Sequence, residues 1–145
     1  MPIHPVIVHF PIVLSVLLLV LEFRKDVSNS LKTFILSTFA FFLTISFFTG
    51  LSDSSLHVDI SEQAQSALVS HYNLSRIVFF LGLCLVALDF FKIKLPAHSN
   101  LLSVVYRVLL LLVVVLMFNT GLKGGQLVYQ EGIGVKTQEK TSFEK

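Results

Sequence analysis

At 145 residues the chain is one domain by length; 54% of it is hydrophobic and only 14% charged, with a net charge of +2, where an ordinary soluble domain carries roughly 25% charged residues. Together with a mean hydropathy of +0.80, this excludes a disordered chain, a soluble enzyme and a nucleic-acid binder, which would need a dense basic patch. What is left is an integral membrane protein.

Four segments reach the roughly 20 residues that cross a hydrocarbon core as helix. The first, from about Pro5 to Leu21, carries no charge. With no Lys or Arg before it and no small-residue cleavage site after it, it reads as a span and not as a cleaved signal peptide. The second, Thr33 to Ser52, is also uncharged and dense in Phe and Leu. Between it and the third lies a longer connection, Asp53 to Ser70, in which Leu56, Ile60, Ala64 and Leu68 recur at helical spacing. That pattern predicts a short amphipathic interfacial helix. The third span, Tyr72 to Phe91, holds Arg76 and Asp89 near its ends; the fourth, Asn100 to Leu122, holds Arg107 near its start. Terminal arginines can snorkel to the headgroups. Asp89 is expected to pair with Lys92 or Arg107. Gly121 reads as a helix C-cap followed by tight turns. The fold class is therefore all-α, an integral membrane four-helix bundle over residues 1–135, with a mobile polar tail at 136–145. No internal repeat is evident along the sequence, and the single cysteine, Cys84, leaves no disulfide framework or CxxC pair.

Arg24, Lys25, Lys32, Lys92, Lys94 and Arg107 gather at one end of the spans, while the Asp53–Ser70 connection has no Lys or Arg. The positive-inside rule makes the basic end cytoplasmic and puts both termini outside. In a bacterium this is the inner membrane, with both termini periplasmic.

Alternating helix direction brings His4, His9 and His71, with Thr49, Gly50, Asp53, Asn119 and Gly121, to the opposite, outer end. Polar groups at membrane depth are costly and are functional candidates. His57 and His98 lie in wet connections and read as surface residues. His4 and His9 are five residues apart, roughly 140° around a helix and about 7.5 Å along it, so they would share one small ion only if Pro5 or Pro11 made the backbone irregular. A simpler pair takes one histidine from each of two helices: His9 with His71. Two neutral imidazoles on facing helices suit the axial positions of a b-type haem, and the lack of CxxCH excludes covalent c-type attachment. A Cu or Zn ion is the alternative, and would draw on further donors among His4, His57 and Asp53.

The elements His4-Pro-Val-Ile-Val-His-Phe-Pro11, Thr49-Gly50 with Asp53, His71, and Gly124-Gly-Gln-Leu-Val-Tyr with Gly-Ile-Gly-Val135 together resemble the DUF2231 family of small four-span bacterial membrane proteins. The resemblance covers about residues 3 to 135 and marks His4, His9, Asp53, His71 and the terminal glycines as family-pattern positions. It also implies an association with redox modules. The first reading is thus a haem-b protein in electron transfer, with His9 and His71 as iron ligands and His4 and Asp53 beside them. The second is a cofactor-free accessory or assembly subunit of a larger membrane complex, and the third a Cu or Zn binding protein. Its partners are the lipid bilayer and, for the first two readings, redox or respiratory membrane subunits or further copies of the chain. No nucleophile–base arrangement marks it as an enzyme by itself.

Overall fold

The computed structural model describes residues 3–54 and 61–133. Their elements are α1 (His4–Ile7), α2 (His9–Glu22), α3 (Asn29–Ser54), α4 (Glu62–Lys94), a 3-10 turn at Pro96–His98 and α5 (Ser99–Tyr129). No strand occurs among the described residues. Four helical segments, α1 and α2 together, then α3, α4 and α5, are long and apolar enough to cross a membrane. The protein is an all-α membrane bundle, and large outward side chains such as Val13, Phe34, Val108 and Leu122 face lipid.

Local chemistry sets the helix ends. Pro11 has no N–H for the Ile7 carbonyl, and the first span is interrupted at Val8, between α1 and α2. The Ser61 hydroxyl accepts the Ala64 N–H at 3.2 Å, capping α4, and Glu62 follows in the first turn, where its charge suits the helix dipole. Pro96 pushes Leu95 out of the helical region (φ −121°, ψ 69°), which ends α4. In the α2–α3 turn, Arg24 grips both carboxylate oxygens of Asp26 at 2.8–2.9 Å and holds that carboxyl below its usual range.

Two sequence expectations change. Of the amphipathic segment expected before span 3, the part from Glu62 onward, with Ala64 and Leu68, is continuous with α4, while Leu56 and Ile60 lie outside the described residues; the apolar run of span 3 marks only the lipid-immersed part of a longer helix. Gly121 is no C-cap, since α5 runs on through Gly124 and Gly125 to Tyr129. Of these glycines Gly124 is a close-packing position, with the His71 ring against it, whereas a β-carbon at Gly125 would meet nothing within 4 Å. The turn comes later, at Gly132, whose φ of 67° is left-handed, and there the Ile133 N–H returns to the Leu127 carbonyl at 3.0 Å. The tail 136–145 and His57 lie outside the described residues.

Helix α2 packs on α3 and α5, and α4 packs on the same two, so like-numbered helices stand on the diagonals of a square. The core between them is built on Phe39, Leu85, Leu110 and Val113. Gly82 admits α3 closely: a β-carbon there would strike Leu43 and lie 3.5 Å from Phe39. Hydroxyls within the spans bond to carbonyls of their own helices, as Thr44 does to Ala40 at 2.8 Å and Thr120 to Leu116 at 2.8 Å. This keeps the protons of those hydroxyls from facing lipid unpaired.

The basic end carries an ionic network that links all four spans. Glu22, whose side chain is 9% exposed, meets Arg107 at 3.3 Å and Lys32 at 4.0 Å. Asp89 meets Lys92 at 3.8 Å, as the sequence suggested, and accepts the Thr33 hydroxyl at 2.9 Å. The Lys92 ammonium also sits 4.3 Å over the Tyr106 ring.

Candidate functional site

Toward the histidine end the close-packed core gives way to a cavity of about 540 Å³. Its floor is Leu43, Val78 and Met117, and one wall is the stacked pair Phe47 and Phe79, with ring centroids 4.4 Å apart. Polar groups are few: His4, His9, His71, Ser46, Ser75 and Thr120, with the hydroxyls of Tyr72 and Tyr129. A mostly apolar hollow of this size with a few convergent polar groups is the usual form of a small-molecule or cofactor site.

Helical spacing explains which side chains reach it. Residues 4, 8, 11, 15, 18 and 22 alternate steps of four and three and form the inward stripe of the first span; Pro11, Ser15 and Leu18 on it are fully buried. His4 is on this stripe. His9 is not: it lines the cavity from the first turn of α2 with its side chain largely exposed.

His4 rests on helix α3. Its Nδ1 is 3.3 Å from Thr49 Oγ1, and its ring covers Gly50, where a β-carbon would come within 2.9 Å of Cε1. The Thr49 hydroxyl donates to the Ile45 and Ser46 carbonyls at 2.9 and 3.1 Å. With its proton turned to those carbonyls, the Thr49 oxygen is left to accept from His4, an arrangement that would place the proton on Nδ1 and the lone pair on Nε2.

His71 rests in the same way on α5. A β-carbon at Gly124 would lie 3.2 Å from its Cε1. Its Nδ1 is buried with no hydrogen-bond partner, on the side of the ring that faces α5. Beside it, Lys123 Nζ donates to Ser70 Oγ at 2.8 Å and ties α5 to α4.

Of the residues the sequence singled out, the fold brings His4, His71 and His9 to one cavity. Asp53 stands in the last turn of α3, its side chain outside the described part of the structure, and His98 is an exposed residue at the basic end. Among the described residues no three of His, Cys, Asp and Glu converge as ligands for a metal ion. Sequence reasoning passed over Ser46 and Thr120, small polar residues on the inward faces of α3 and α5, and Glu22. The signal for Glu22 was its place on the inward stripe.

A family described as "Predicted membrane protein (DUF2231)" matches residues 1–137, and the chain belongs to it. No curated protein and no solved structure matches.

Proposed function

We propose that this DUF2231 chain binds haem b in the histidine-end cavity and passes electrons near the outer face of a bacterial inner membrane. The supporting observation is the cavity itself, an apolar hollow between the spans that is lined by imidazoles from both the first and the third span. Two protein donors are the number that a bis-histidine haem requires, whereas structural or catalytic zinc takes three or four.

The fit rests on this chain's own groups. His71 packs the Nδ1 side of its ring against Gly124 of α5 and would offer Nε2, and a histidine of the first span would supply the second donor. Thr49 would orient His4 and raise its basicity, as a partner on the far nitrogen does for a metal-bound imidazole. Phe47 and Phe79 offer flat apolar contact and keep water from the floor. When bound, haem would supply reversible one-electron redox chemistry at its iron. The excess of Lys and Arg at the far end favours a cytoplasmic placement for that end and a periplasmic one for the cavity.

The test is the visible spectrum of the full chain, expressed with ample haem and purified in mild detergent. A Soret band with sharp reduced α and β bands is expected, and a featureless spectrum overturns the proposal. In that event elemental analysis and co-purification would distinguish a bare-metal site from an accessory subunit.

A further inference from the structure

No run of residues repeats along the sequence, yet the side chains fall into two equivalent sets. The buried Pro11, Ser15 and Leu18 of the first span correspond to the buried Val78, Gly82 and Leu85 of the third, each 67 positions later. Leu36, Phe39 and Leu43 of the second correspond to Leu110, Val113 and Met117 of the fourth, each 74 positions later. Lipid-facing positions obey the same offsets: Val13 and Phe80 are 64% and 57% exposed, Phe34 and Val108 66% and 65%.

The chemistry repeats as well. His4 and Glu22 become His71 and Asp89 at the first offset; Thr33 and Gly50 become Arg107 and Gly124 at the second. Each histidine covers the glycine of its own hairpin. Each carboxylate reaches across to the other hairpin, Glu22 to Arg107 and Asp89 to Thr33. Helices of equal rank run parallel and stand on diagonals, so the rotation relating the hairpins has its axis along the bundle. The cavity lies on that axis, because its lining is paired: His4 with His71, Ser46 with Thr120, Gly50 with Gly124. His9 breaks the pairing, since its counterpart Arg76 does not line the cavity.

We infer that the four spans are two copies of one helical hairpin about a pseudo-two-fold axis, and that His4 and His71 are the equivalent donors to the two faces of one planar group seated on it. The planar group is the haem of the preceding section, and for its identity the inference rests on that reading; the repeat does not. A ligand on such an axis meets the same chemistry from both sides, which is what a porphyrin with two axial imidazoles presents.

The experiment uses the full chain. His4→Ala and His71→Ala should each convert a six-coordinate low-spin haem spectrum to a high-spin one, to a similar extent, while His9→Ala stays low-spin. Loss of the low-spin form in His9→Ala with its retention in His4→Ala overturns the pairing. A second arm needs no cofactor: in a Cys84→Ser background, spin labels at Val13→Cys with Phe34→Cys, and separately at Phe80→Cys with Val108→Cys, should give the same mean distance. Clearly different distances overturn the repeat. A wild-type protein without haem but with equal distances removes the ligand and leaves the repeat standing.

Discussion

The ring of His4 lies so close over Gly50 that a β-carbon added there would stand 2.9 Å from Cε1, nearer than such atoms approach. In water an alanine in place of a mid-helix glycine would gain about 1 kcal/mol of helix propensity. Here the gain is opposed, because the imidazole must swing off its shelf. Gly50→Ala should therefore leave thermal unfolding in detergent nearly unchanged while lowering haem occupancy. Gly124→Ala, at 3.2 Å from His71, needs a shift of only a few tenths of an ångström and should lower it less. Haem-to-protein ratio and melting temperature, read on the same preparations, check both.

Thr49 should matter through His4 alone. Thr49→Val keeps the shape but removes the oxygen that accepts the Nδ1 proton. Loss of such a partner typically weakens metal binding about 10–100-fold. Thr49→Ser keeps the oxygen and should restore most of the affinity, which a merely steric role for Thr49 would not explain. Haem titration and the reduction potential of the two variants are the measurements.

How far these features were legible beforehand differs from residue to residue. The spans could be read because charge-free apolar runs of membrane length have no other stable use, and alternating helix direction then fixed which end collects His4, His9 and His71. The extensions of α4 back to Glu62 and of α5 on to Tyr129 could not, because hydropathy reports where lipid begins and not where a helix ends. Gly121 read as a helix C-cap by a rule that holds in water, but α5 runs through it, and at Gly124 the lack of a side chain lets the His71 ring approach. That His4 lies on the inward stripe and His9 off it was not legible, because the markers of that stripe, Pro11 and Ser15, carry no hydrophobic signal. The inferred repeat was hidden because it preserves burial more widely than identity: Phe39 matches Val113 and Ser15 matches Gly82, and identities such as His4 with His71 are too sparse to mark it.

The ionic network should be asymmetric in its response. Arg107→Met leaves the Glu22 carboxylate buried, with only Lys32 at 4.0 Å to balance it. Breaking a fully buried pair costs about 3–5 kcal/mol. Since the Arg107 side chain is 47% exposed and Lys32 remains, about 1–2 kcal/mol is expected here. Glu22→Gln leaves Arg107 able to turn to water and headgroups, and should cost less than half as much. Denaturation in detergent of the two single variants and the double variant gives the coupling directly, and equal losses would contradict the burial of Glu22.

Orientation follows from the same basic residues and can be read in cells. With four spans both termini share a side, so alkaline phosphatase fused after Lys145 should be active and green fluorescent protein at that position dark. Fusions in the α4–α5 turn, after Ala97, should give the reverse. The prediction weighs Arg24, Lys25, Lys32, Lys92, Lys94 and Arg107 at one end against Lys123 and the tail lysines at the other, and short loops near the spans dominate that balance. Deleting residues 136–145 removes tail lysines from the outer side, so it should leave the pattern intact or sharpen it. If instead the fusion after Lys145 fluoresces, the cavity faces the cytoplasm, and any electron partners of the proposed haem site must be sought on that side.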